Sequence, residues 1–262
     1  MASFLGFTRT RMPDKKLVII PTYNEIENIH DMVHAVLSLP ELFDLLIIDD
    51  GSPDGTAEAV QQLQNPYPNR LYLLKRAGKL GLGTAYLEGF AFALQKGYHY
   101  IFEMDADFSH NPLDLPKLLD ACQNQGHDMA IGSRYITGVN VVNWPMSRVL
   151  MSFFASKYVQ FITGMPIKDA TAGFKCYKRE VLETIPLDKI KFVGYAFQIE
   201  MKFSAWIRGF SIKEVPIIFT DRTRGQSKMN IGIFKEAVFG VFHMKLRSLF
   251  RRPKHRKQMT GP

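Results

Sequence analysis

The chain has 262 residues, 46% hydrophobic and 22% charged, a globular composition with ample length for a core that excludes disordered and fibrous classes. Its formal net charge of +8 is concentrated at one end. Past Glu236 there is no acidic residue, while Lys245, Arg247, Arg251, Arg252, Lys254, Arg256 and Lys257 follow, so no nucleic acid is expected as a partner and a local contact at the C-terminus is.

Only Cys122 and Cys176 are present, which implies no disulfide framework and a reducing compartment. No apolar run approaches the ~18–20 residues that cross a bilayer. The segment MASFLGFTRTRMPDKK has a short apolar stretch ahead of its arginines, the reverse of a secretory signal. The expectation is a cytoplasmic protein that meets a membrane only peripherally, with 1–16 as an N-terminal extension and Met12 as a second candidate start.

The apolar run 17–20, stopped by Pro21, reads as a buried strand. Residues 25–39 follow with Ile26, Ile29, Val33, Val36 and Leu37 at helical spacing. A second strand at 45–48 ends in the turn-rich DDGSPDG of 49–55. Residues 56–63 read as a helix and 71–74 as a third strand. A glycine-rich turn at 78–83 opens a helix reaching about residue 96, and a fourth strand, 100–104, closes on Asp105-Ala106-Asp107. Short continuous apolar strands alternating with amphipathic helices predict an α/β fold, a mostly parallel sheet flanked by helices.

The second half is less regular. A strand at 128–132 enters Ser133-Arg134-Tyr135, helices are predicted over 146–162 and 195–206, and 212–219 reads as a strand that Pro216 puts near an edge or bulge. No linker interrupts the chain. The reading is one compact unit over 17–229, for which the family resemblance given below implies a catalytic domain with a nucleotide half at about 17–107 and an acceptor half at about 108–229. After it, 230–262 forms an amphipathic helix and basic tail.

In a parallel sheet, ligands bind beyond the carboxyl ends of the strands, and here those ends carry PTYNE, Asp49-Asp50 and Asp105-Ala106-Asp107. Asp105 and Asp107, two apart in extended geometry, project to one side. Such a pair is costly unless a cation neutralises it, and a hard divalent ion that also takes diphosphate oxygens does so. The alternative is that the two carboxylates only cap a turn. Asp49 and Asp50 have the same two readings, turn formation or acceptance of hydrogen bonds from a nucleobase or ribose. His110 has no second ligand at useful spacing and reads as a surface or packing residue.

Ile231, Phe234, Val238, Val241, Phe242, Leu246, Leu249 and Phe250 recur at helical spacing among basic residues. That pattern suits an interfacial helix on anionic lipid, or a helix packed on the domain. Val149, Leu150, Phe153, Phe154, Val159, Phe161 and Ile162 pose the same choice beside Arg148.

The segments IIPTYNEIENI (19–29), IIDDGSPDGT (47–56), KLGLGTAY (79–86), EMDADFSHNP (103–112), GSRY (132–135), DATAGFKCYKREVLE (169–183), GYAFQIEM (194–201) and EVPIIFTDRTRGQSKM (214–229) occur in one order. Together they resemble the polyprenol-phosphate (dolichol-phosphate) mannosyltransferases of glycosyltransferase family 2. The resemblance implies a GT-A fold and an inverting transfer of mannose from GDP-mannose to a polyprenyl phosphate, with Mg²⁺ or Mn²⁺. It matches Pro21, Tyr23, Glu25, Ile48 and Asp50 to nucleotide-binding positions, and Asp105, Ala106 and Asp107 to the diphosphate and metal site. Arg134, Arg222 and Lys228 match donor- or phosphate-contacting positions, and Arg134, Arg148 and Ser152 the acceptor's phosphate. The implied catalytic set is Asp105, Asp107 and Arg134. Some relatives have Gln at the position of Ser109, a weaker ligand here. In some relatives a membrane segment or a separate membrane subunit supplies the anchor. The rival readings are transfer from another nucleotide sugar such as UDP-glucose, and a non-catalytic nucleotide-sugar-binding regulator.

Overall fold

The computed structural model describes residues 14–222 and 240–248. Four parallel strands form first: β1 (Lys16–Thr22), β2 (Asp44–Asp49), β3 (Leu71–Lys75) and β4 (Tyr100–Glu103). The intervening helices are α1 (Ile26–Leu37), α2 (Thr56–Leu63) and α3 (Leu82–Gln95). These match the predicted elements to within a few residues at each end.

The seven-stranded sheet has the order β3-β2-β1-β4-β7-β5-β8, completed by β5 (Met129–Ser133), β7 (Lys175–Lys178) and β8 (Ile212–Pro216). Strand β7 runs antiparallel to both β4 and β5 and joins the two halves of the sheet. The sequence reading did not contain it, nor helix α4 (Leu115–Gln123). The strand expected over 212–219 is two strands. β8 ends at Pro216 on the sheet edge, and β9 (Phe219–Thr220) pairs instead with β6 (Val141–Val142) in a small second sheet. Proline fits the edge because it offers no amide proton to a further strand.

Each interior strand is buried on both faces, so its alternate side chains feed two cores. Val18, Ile20, Leu45, Ile47 and Phe102 pack with α1, α2 and α4. Leu17, Ile19, Leu46, Ile48 and Ile101 pack with α3, α6 (Arg179–Thr184) and α7 (Tyr195–Trp206). Gly89 lets α3 lie against β1: an added Cβ there would come within 2.7 Å of the Ile19 side chain.

Helix α5 (Met146–Thr163) differs from the others. Of its 18 residues only Ser156, Val159 and Thr163 are buried, and Met146, Leu150, Met151, Phe154 and Phe161 are exposed. Residues 240–248 are helical, with Val241 and Met244 buried and Phe242 and Leu246 exposed. Lys245 Nζ donates to the Thr163 carbonyl at the end of α5 (2.9 Å). No described helix is long and apolar enough to cross a membrane. The rest of the expected tail, 230–239 and 249–262, and the extension 1–13 lie outside the described residues.

Candidate functional site

Three parallel strands deliver their carboxyl ends to one crevice. At β2 the adjacent carboxylates have different surroundings. Asp49 is the turn former: it accepts from the Ser52 amide and hydroxyl (2.9 and 2.6 Å) and from the Thr22 hydroxyl (2.9 Å). Asp50 instead faces Arg76, whose Nη1 lies 3.0 Å from its Oδ1. Burial pushes the Asp50 carboxyl up against the pull of Arg76. Arg76 also reaches Thr84 (2.5 Å) and Glu88 (3.3 Å) on α3, so it fastens the start of α3 to the carboxyl end of β2. Sequence reasoning passed over Arg76, because a cation one residue past a strand carries no pattern.

Pro21 and Tyr23 are half-buried at the end of β1, and the Lys79 ammonium stands 5.2 Å from the Tyr23 ring centroid. The Glu25 carboxylate accepts from the Asn28 side-chain amide (3.0 Å), while its backbone N–H donates to Thr56 (3.0 Å). The Ile48 side chain is fully buried in the core below the strand end, close to Gly89, so any contact from this position is made by its backbone.

At the end of β4, Asp105 and Asp107 are placed unequally. The Asp105 side chain is 40% exposed, whereas Asp107 is buried and accepts from the Ser109 amide (3.1 Å) and Arg222 Nη2 (2.8 Å). Withdrawal from bulk water, and then the Asp107 charge, push the Asp105 carboxyl up to about 7. Burial opposes the Asp107 charge too, but hydrogen bonding from Ser109 and the charge of Arg222 outweigh it and hold that carboxyl low. Ala106 is buried between them.

His110 is not at the surface. It is buried, stacked on Phe174 with centroids 5.0 Å apart, and its Nδ1 accepts from the Asp105 amide (3.2 Å). Burial depresses its imidazole to about 4, so near neutral pH it is an uncharged acceptor that fixes the Asp105 backbone.

The second half of the chain supplies two arginines, Arg134 and Arg148, each with a carboxylate that the sequence did not reveal. Arg134, just past β5, gives Asp169 its backbone amide (2.9 Å), Nε (2.7 Å) and Nη2 (2.6 Å), and Nη2 also donates to Thr171 (2.8 Å). Burial works against the Asp169 charge, yet Arg134 more than compensates and holds the carboxyl below the usual range. The guanidinium also lies 5.3–5.5 Å from the ring centroids of Tyr135, Trp144 and Phe219. Arg148 on α5 donates to Asp221 (2.8 Å) and sits 4.1 Å from the Trp144 centroid. Because Asp221 precedes Arg222, which pairs with Asp107, the small β6–β9 sheet links the two arginines to the acidic motif. Ser152 is half-buried on α5 beside Tyr135. Lys228 lies outside the described residues.

Among the described residues no group of three His, Cys, Asp or Glu converges as a metal cage. Two carboxylates, one of them open and unwilling to ionise beside the other, fit a hard cation whose remaining ligands are diphosphate oxygens and water.

Comparison with known proteins agrees with this geometry. The model of the family described as Glycosyl transferase family 2 matches residues 17–186. A polyprenol monophosphomannose synthase of Mycolicibacterium smegmatis is 46% identical over 237 residues, 90% of this chain and 89% of that protein. An undecaprenyl-phosphate mannosyltransferase of Micrococcus luteus is 43% identical over 225 residues, 86% of this chain and 91% of that protein. Among solved structures, glucosyl-3-phosphoglycerate synthase from Mycobacterium tuberculosis, in complex with Mn²⁺, UDP and phosphoglyceric acid, aligns with a TM-score of 0.63 at 16% identity. The alignment covers 90% of this chain and 78% of that one, a likeness of fold. The chain belongs to glycosyl transferase family 2, has its GT-A fold, and carries its likeness to the polyprenol-phosphate mannosyltransferases over nine-tenths of its length.

Proposed function

We propose that the protein transfers mannose from GDP-mannose to the phosphate of a polyprenyl lipid, with inversion at the sugar carbon, at the cytoplasmic face of a membrane. The carrying observation is the unequal pair Asp105 and Asp107 at the end of β4, with Arg222 on one of them. The names of the two relatives support the sugar and the lipid class. Asp105 and Asp107 would hold Mg²⁺ or Mn²⁺, which when bound supplies positive charge to the diphosphate as it leaves.

In the reaction an acceptor phosphate oxygen bonds to the sugar carbon as the bond from that carbon to the GDP oxygen breaks, and GDP departs with the electron pair. A phosphate monoester whose second pKa is about 6 is largely ionised near neutral pH, so no strong general base is needed. What the protein must supply is position and countercharge. Arg222, and Lys228 beyond the described residues, are assigned to the donor diphosphate. Arg134, Arg148 and Ser152 are assigned to the acceptor phosphate. Asp50, Glu25, Tyr23 and Pro21 surround the nucleoside.

The lipid tail is met by α5, where the chain leaves its largest apolar side chains in solvent. Phe161 is 87% and Phe154 63% exposed. The basic tail would add attraction to anionic lipid, and a separate anchoring partner is compatible with this arrangement. The test is incubation with Mg²⁺, polyprenyl phosphate and labelled GDP-mannose or UDP-glucose in parallel. Mannosyl lipid from GDP-mannose is expected; transfer from UDP-glucose with none from GDP-mannose overturns the assignment.

A further inference from the structure

Lys202 on α7 is fully buried, yet among the described residues no carboxylate is its hydrogen-bond partner. Its Nζ donates to the carbonyls of Ala170 (2.8 Å) and Ala172 (2.6 Å). From the other side, Glu214 on β8 accepts from the amides of Lys168 (2.8 Å) and Asp169 (2.9 Å), and from the Ser133 hydroxyl (2.7 Å). The backbone of 168–172 is therefore held between an amine that takes its carbonyls and a carboxylate that takes its amides. Burying an amine in this way is costly, and an apolar side chain of similar size would fill the space at no electrostatic cost.

What the segment presents explains the cost. The two carbonyls on Lys202 flank Thr171, and Thr171 and Asp169 together accept three N–H bonds from the Arg134 side chain. Only 9% of the Arg134 side chain is exposed, so it meets the crevice by an edge whose position its partners dictate.

We infer that Lys202, together with Glu214, is a positioning residue for Arg134: the two clamp the 168–172 segment so that the guanidinium edge meets a substrate phosphate in one place. The inference rests on the reading of Arg134 as phosphate-facing given under the proposed function. The clamp acts from behind the site, touching no substrate. A displacement of about 1 Å at a reacting phosphate is enough to cost on the order of 10²-fold in rate.

The test compares K202M, E214Q, R134K and the double variant R134K/K202M in the full chain. Each is assayed with GDP-mannose and polyprenyl phosphate varied separately, and GDP binding and melting temperature are measured alongside. K202M is expected to lower kcat/KM for the acceptor about 10²-fold while GDP affinity stays within about threefold. The double variant should be no slower than R134K alone, because both changes act through one guanidinium. A lysine that merely supports the core would add its loss to that of R134K and weaken GDP binding and acceptor use alike; that pattern overturns the inference. Should K202M fail to fold, E214Q keeps the side-chain shape and carries the same expectation at smaller size, about tenfold. Unimpaired K202M and E214Q beside a crippled R134K also overturn it. R134K as active as the parent overturns the phosphate-facing reading and the clamp with it, whereas the parent's own turnover reports separately on the donor and acceptor.

Discussion

The two halves of the molecule hold their functional groups by different physics. In the first half, β1, β2 and β4 are parallel and apolar on both faces, and their polar ends lie together because the sheet puts them there. Backbone placement does most of the work, and a carboxylate such as Asp49 is held by neutral donors, two from Ser52 in its own turn and one from Thr22 on the adjacent strand. In the second half the groups come from β5, α5 and the loop after β9, and side-chain ion pairs hold them in register, Arg134 with Asp169 and Arg148 with Asp221, while Lys175 on β7 pairs back across to Glu103 on β4. A site made by strand ends tolerates change in its supports. A site made by paired charges depends on each partner.

The largest expected effect falls where the halves meet. Asp107→Ala removes a proposed cation ligand and the partner of Arg222, and transfer should fall about 10⁴-fold, near 5.5 kcal/mol of barrier. The fold should survive, since the strand end is set by the sheet. Turnover measured beside far-ultraviolet circular dichroism checks both, and unchanged turnover removes the metal role.

The next effect sharpens the contrast within the second half. Asp169→Asn leaves Arg134 buried without its countercharge and should cost about 3–5 kcal/mol of stability. Asp221→Asn breaks a pair whose members each keep about a quarter of their side chains exposed, and should cost about 0–1 kcal/mol. Urea unfolding of both variants decides; equal losses would mean that burial does not distinguish the pairs.

This contrast also explains what the sequence could convey. The parallel half was legible because burial on both faces leaves continuous apolar runs, and the carboxylates stood out as the residues ending them. Strand β7 was not legible. Its KCYK reads as polar, although Lys175 is fully buried against Glu103 and Gln198, with Tyr177 donating to the same Glu103 (2.6 Å). Hydropathy cannot register a lysine that enters the core because a carboxylate on the next strand is waiting for it. The arginines were legible through family resemblance, but their partners lie 35 and 73 residues away in sequence. Nothing local joins them, and only the sheet order brings them together. Ile48 shows the converse: a position beside a functional residue whose own side chain faces the core.

The acidic motif gives a pH effect whose sign follows from its pKa values. Asp105, raised to about 7, is largely protonated below that pH, and a cation must displace the proton to bind. Apparent Mn²⁺ affinity should therefore rise with pH up to about 7, by at most about tenfold per unit, and level off above. Stability of the cation-free protein should run the other way, falling as pH rises from the ordinary carboxylate range towards 7, because there the folded form binds the extra proton. Calorimetric titration of Mn²⁺ between pH 5.5 and 8.5 is the measurement. A flat profile would mean that Asp105 is not the group the cation neutralises.

The smallest effect on the fold should come from the surface that differs most from both halves. Phe154 and Phe161 of α5 are mostly in solvent, so replacing both by Ser removes little buried area and should change stability by less than about 0.5 kcal/mol. If the exposed stripe meets lipid, the same change should weaken binding to vesicles and raise the KM for a long-chain polyprenyl phosphate several-fold. A short, water-soluble prenyl phosphate should be used as before, because it engages the arginines and not the stripe. Vesicle sedimentation with the two acceptors assayed in parallel separates these cases. A loss that is equal for both acceptors would assign α5 to phosphate handling through Arg148, and undiminished vesicle binding would shift the membrane contact to the basic C-terminus. Among the described residues no side chain covers Phe154 and Phe161, and each ring left in water forgoes burial worth about 1.5–3 kcal/mol, so a contiguous exposed stripe of this kind fits an apolar partner.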